Sequence, residues 1–117
     1  MKQVIVMRTD LGMRRGKQIA QGAHATWMFF LAPGGHHFDI HVSRWFTEGM
    51  KKICVRVENE SEMLRLAWEA RRAGLRSHIV TDAGHTEFDG VPTKTCLAIG
   101  PNEDEAVDAI TKDLKLL

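Results

Sequence analysis

Lys17, Gln21 and His24 lie four and three residues apart in the run GKQIAQGAH, so on a helix they project as one stripe. An ammonium, an amide and an imidazole in line can hold an anion, orient a carbonyl and move a proton. The helical spacing predicts a packed side of Ile19, Ala23, Trp27, Phe30 and Leu31, with the stripe beside it. A polar flank that merely faces water has the same spacing. Asp82, in IVTDAGHTEF, is the second candidate. It falls at the carboxyl end of a strand, where ligands of open α/β sheets gather, and an aspartate there can act on a water. Thr86 and Thr95 could add hydroxyls at the same end, although an Asp before Ala83 and Gly84 also suits a turn that caps itself.

Two other chemistries fit less well. The run GMRRGKQ resembles a phosphate loop, but three residues separate Gly12 from Gly16 where the motif needs four, and Gln18 replaces the magnesium-holding Ser or Thr. In GGHHFDIH, three histidines, His36, His37 and His41, and Asp39 suggest a metal, yet only His37 and His41 have the i, i+4 spacing a helix would need. We expect no metal there, and an exposed variable insertion instead.

Positioning these groups calls for alternating strands and helices. A continuous apolar strand at about 2–9 reads as central and buried on both faces. A helix at about 14–31 follows, then a short helix around HVSRWFTEG ending at Gly49. A strand at about 51–58 leads to a helix capped by Asn59 and stopped by Gly74, with Met63, Leu64, Leu66, Ala67, Ala70 and Ala73 inward. Strands at about 76–81 and 94–99 form a tight pair, the last trimmed by Gly100 and Pro101, and Asn102 caps a final helix. The order βααβαββα predicts one α/β domain over residues 1–117, a mixed four-stranded sheet with helices on both faces.

Composition agrees with an ordinary globular chain of 117 residues, 44% hydrophobic and 26% charged. No stretch reaches the roughly 18 apolar residues of a membrane span, and no signal-peptide pattern opens the sequence. The cytoplasm is the expected location, with no membrane partner. Cys54 and Cys96 sit in apolar runs without metal spacing, so both read as small buried hydrophobes. The net charge of +1 conceals an asymmetry. Residues 1–24 carry Lys2, Arg8, Arg14, Arg15 and Lys17 against Asp10, while 101–117 carry five acids against two lysines. That pattern suits a basic face for a polyanion, and equally a solvated surface. Of the tryptophans, which can stack bases, Trp27 and Trp68 align with apolar helical positions and read as core, and Trp45 is left open.

Taken together, KQVIVMRTDLGMRRGKQIAQGAHA, VTDAGHTEF and TCLAIGPNEDEAVDAITKDLKLL resemble the three signature regions of type 2 peptidyl-tRNA hydrolases. The resemblance covers nearly the whole chain except residues 32–50. It implies the α/β fold read above and hydrolysis of the ester joining peptide to tRNA, without metal or organic cofactor. The family's lysine falls on Lys17, its DAG aspartate on Asp82, its threonines on Thr86 and Thr95, and its helix glutamine and histidine on Gln21 and His24. Arg8, Arg14, Arg15 and Lys2 become candidate phosphate contacts. Peptidyl-tRNA is the implied partner, a homodimer is left open, and the opposing reading is a non-catalytic module that binds tRNA ends or a protein. Gly22 and Ala23 stand where the family commonly has Cys-Ser, and His85 stands where it has Arg or Lys.

Overall fold

The computed structural model describes residues 1–31, 39–85 and 87–117. His36, His37 and Thr86 therefore lie outside the described residues. The elements are β1 (Lys2–Arg8), α1 (Arg15–Leu31), α2 (Ile40–Thr47), β2 (Lys52–Val57), α3 (Glu60–Arg72), β3 (Ser77–Asp82), β4 (Thr93–Asn102) and α4 (Asp104–Thr111). They form one four-stranded sheet in the order β2-β1-β4-β3, with β1 parallel to β2 and β4 antiparallel to both β1 and β3. The expected order and mixed sheet are observed. β1 is central and almost wholly buried, as its unbroken apolar run requires.

The sheet separates two cores. Val4, Val6, Val55, Leu97 and Ile99 meet Met63, Leu66, Ala70 and Val107 on the side of α3 and α4. Ile5, Met7, Cys96 and Ala98 meet Met13 and Ala25 on the side of α1. Asn59 caps α3 as expected, its side chain accepting from the Glu62 N–H at 2.7 Å, and Gly74 follows the helix end at φ +77°. Leu64 and Ala73, expected inward, are exposed. β4 runs on through Gly100 and Pro101 to Asn102, so α4 starts after Glu103; Asn102 instead accepts from the Glu103 N–H.

The largest correction concerns α1. Its buried residues are Gln21, Ala25, Thr26 and Phe29, whereas Ile19 is 66% and Trp27 45% exposed, and Ala23 and Leu31 also face outward. Two polar side chains occupy the packed face because each is hydrogen-bonded there: Thr26 to the Gly22 carbonyl, Gln21 to Thr95 and Asp82. Apolar spacing alone located the wrong side. The tryptophans are corrected with it. Trp45 is fully buried with Phe29 and Val42, donating from Nε1 to the Lys51 carbonyl at 2.9 Å, while Trp68 is 58% exposed.

The charge asymmetry partly closes on itself. The Met1 ammonium lies 2.9 Å from Asp104, and Lys2 lies 2.6 Å from Asp108. Lys51, and next the Met1 ammonium, pull the Asp104 carboxyl down to about 2. Cys96 is buried as expected, its thiol pushed up to about 12 by desolvation. Cys54 is exposed, contrary to expectation, because the face of β2 that carries it is uncovered.

Candidate active site

The polar groups converge where α1 crosses the carboxyl end of β3. Asp82 is the last residue of β3, and Lys17 and Gln21 stand one turn apart near the start of α1. Lys17 Nζ donates to Asp82 Oδ1 at 2.9 Å, and Gln21 Nε2 donates to the same oxygen at 3.2 Å. The other oxygen, Oδ2, accepts from the Gly84 N–H at 2.8 Å. Asp82 thus caps its own turn and faces the helix stripe at once, so the two readings of this residue are compatible. Lys17, first of these donors, holds the Asp82 carboxyl below the usual carboxylate range.

A β-bulge brings in Thr95. Val80 pairs with Cys96 and Thr81 with Lys94, so Thr95 is the extra residue of β4. Thr95 and Cys96 consequently both touch Gln21: the Thr95 hydroxyl donates to Oε1 at 2.5 Å and the Cys96 thiol to the carbonyl at 3.4 Å. A hydroxyl has one proton, and its short bond to Gln21 Oε1 fixes the amide with Nε2 toward Asp82. Thr95 is fully buried, with its hydroxyl turned to Gln21.

Two further residues border the pair: Gly84, read from the sequence only as part of a turn, and Phe88, which was not among the candidates. Gly84 has φ +84°, and a Cβ there would lie 2.3 Å from the Val91 carbonyl oxygen, so only glycine fits. Phe88 sets its ring 5.7 Å from Lys17 Nζ, a cation–π distance. The glycine was visible in DAG, and Phe88 was visible as the one aromatic side chain of the loop between the last two strands.

The other expected residues are dispersed. His24 is exposed, and among the described residues Asp82 is bonded by Lys17, Gln21 and Gly84 and not by His24. Arg8 is buried, with its guanidinium on both oxygens of Asp10 and on the Lys94 carbonyl. Lys2 is paired with Asp108 at the opposite end of β1. Neither is presented to a phosphate at this end of the sheet. Arg14 and Arg15 are exposed at the start of α1, where the helix dipole adds positive potential. Gly16 lies inside the first turn of α1 and leaves no loop to wrap a phosphate. In the former metal candidate, Asp39 caps α2 by accepting from the Val42 N–H and pairs with Arg76.

This is an α/β protein with a partly buried lysine–carboxylate pair at the carboxyl edge of its sheet, an arrangement suited to polarising an ester and its attacking water. The family model Peptidyl-tRNA hydrolase PTH2 matches residues 1–117, and the chain belongs to that family. A peptidyl-tRNA hydrolase of Methanocaldococcus jannaschii is 45% identical over 117 residues, covering 100% of both chains. One from Halobacterium salinarum is 47% identical over 117 residues, 99% of each chain, and one from Methanopyrus kandleri is 45% identical over 116 residues, 99% of this chain and 97% of its own.

Proposed function

We propose that this protein hydrolyses the ester between a peptide and the terminal ribose of tRNA, releasing the tRNA for reuse. The observation that carries the reading is the Lys17–Asp82 pair, braced by Gln21, in a chain of this family. Among the described residues Asp82 Oδ1 accepts two bonds and Oδ2 one, which favours Oδ2 as the acceptor for the attacking water. Lys17, beside it, holds the Asp82 carboxyl low and in its anionic form. Asp82 orients the attacking water and takes its proton as the new C–O bond forms, and that proton passes to the leaving 3′-oxygen as the ester bond breaks.

Lys17 supplies the positive charge that stabilises the developing oxyanion. Gln21 and Thr95 hold Asp82 in place. Thr86, assigned by the family resemblance, belongs to the same proposal, and exposed His24 is the proposed contact for the leaving 3′-hydroxyl. Arg14 and Arg15 take RNA phosphates without sequence preference, as an enzyme accepting many tRNAs requires. Such a substrate arises during translation, so the reading assigns the protein to the cytoplasm. Among the described residues, no helix is long and apolar enough to cross a membrane.

The test is release of tRNA from N-acetyl-aminoacyl-tRNA. Turnover by the wild type, reduced about 10²–10³-fold in Lys17→Ala, supports the reading. Tight binding without turnover assigns the protein to the non-catalytic class instead.

A further inference from the structure

The outward face of α1 borders a second feature. Because α1 packs over β1, β4 and β3, the adjoining face of β2 is bare, and Lys52, Cys54 and Arg56 are exposed on it. Between α1 and this face runs a groove of about 870 Å³. Ile19, Trp27, Met50 and Leu117 form its apolar walls, all of them well exposed. Gly22 deepens the floor: a Cβ there would rest 3.9 Å from Met7 with no clash, so its absence leaves open space. Arg15 and Lys52 stand on the rim, and among the described residues no Asp or Glu side chain lines it.

An apolar floor under a cationic rim is complementary to single-stranded nucleic acid, whose bases stack while its phosphates meet cations. An apolar peptide offers the rim cations only carbonyl dipoles and no repeating negative charge, and a second copy docking groove to groove would bring two basic rims together. The groove also adjoins the candidate active site. Gln18 and Gly22 line it, and each is the next residue along α1 from Lys17 and Gln21. The helix between them is about 10 Å across, and exposed Arg14 and Arg15 mark the way round its start. Trp27 presents an exposed ring stacked on Phe30, with centroids 5.3 Å apart.

We infer that this groove holds the unpaired 3′-terminal nucleotides of the tRNA, with bases on Ile19 and Trp27 and phosphates on Arg15 and Lys52. The inference rests on the function proposed above. It is tested with the trinucleotide CpCpA, followed by tryptophan fluorescence and by chemical-shift changes, beside hydrolysis of N-acetyl-aminoacyl-tRNA. Trp27→Ala and Ala23→Glu should each weaken CpCpA binding about tenfold or more and raise KM more than they lower kcat. Trp68→Ala, on the far side of the sheet, should change neither.

Unaltered CpCpA affinity and KM in both variants overturns the inference while leaving the hydrolase reading intact. So does a Trp27 response to an acetylated leucine pentapeptide but not to CpCpA, or a dimer that Ala23→Glu dissociates without effect on KM. Absence of wild-type hydrolysis counts against the function itself, and the CpCpA titration still reports separately on the groove.

Discussion

Asp82 receives Lys17, Gln21 and the Gly84 N–H on its two oxygens, which sets both its charge state and its direction. Lys17 is the largest cause of its lowered pKa, so in Lys17→Ala the carboxyl should titrate higher, toward the ordinary range. Following the Asp82 carboxyl carbon by NMR against pH measures this; an unmoved midpoint would place the cause elsewhere. The sign for stability follows. A lowered folded pKa contributes stability above the unfolded carboxylate range, and the contribution disappears as pH falls through the lowered value. Both side chains are 15% exposed, so the pair is partly desolvated, a costly state better explained by chemistry than by folding.

At the scale of elements, the loop after β3 positions the carboxylate and α1 positions the lysine. Gly84→Ala forces a left-handed residue to carry a Cβ and drives that Cβ into Val91. It should lose more than about 1–2 kcal/mol in urea unfolding and most of the activity. The helices give a sharper contrast among tryptophans. Trp45→Ala empties a wholly buried site and should cost about 3–5 kcal/mol. Trp68→Ala removes an exposed ring lying 4.7 Å from the Arg72 guanidinium and should cost under about 1 kcal/mol. Equal losses in the two would contradict the assignment of Trp45 to the core.

These elements also show what could be read in advance. Strand and helix order, the central place of β1 and the Asn59 cap were legible because each depends on local pattern. The packed side of α1 was not, because Gln21 and Thr26 are buried by partners that apolar spacing does not record, and no periodicity encodes a hydrogen bond to Thr95. Thr95 could be matched to the family, but not its place in a bulge, since pairing register is a property of two strands together. Lys17 and Asp82 were both visible, and the fold brings their side chains to 2.9 Å.

Over the whole molecule, the basic excess of the first 24 residues shrinks once its partners are seen. Lys2 and Arg8 are neutralised internally, which leaves Arg14 and Arg15 as the presented cations at the head of α1. The double variant Arg14→Ala with Arg15→Ala should weaken tRNA binding uniformly. Its log–log dependence on salt should be shallower by about 2, one unit for each phosphate that is no longer neutralised. An unchanged slope would remove these residues from the interface.

The most direct measurement is a double-mutant cycle on single-turnover hydrolysis of N-acetyl-aminoacyl-tRNA, using Lys17→Ala, Asp82→Asn and the two combined. Residues that act as one unit are non-additive, so the double variant should be about as slow as the slower single variant. Multiplying effects, or full activity in either single variant, would contradict a catalytic Lys17–Asp82 pair.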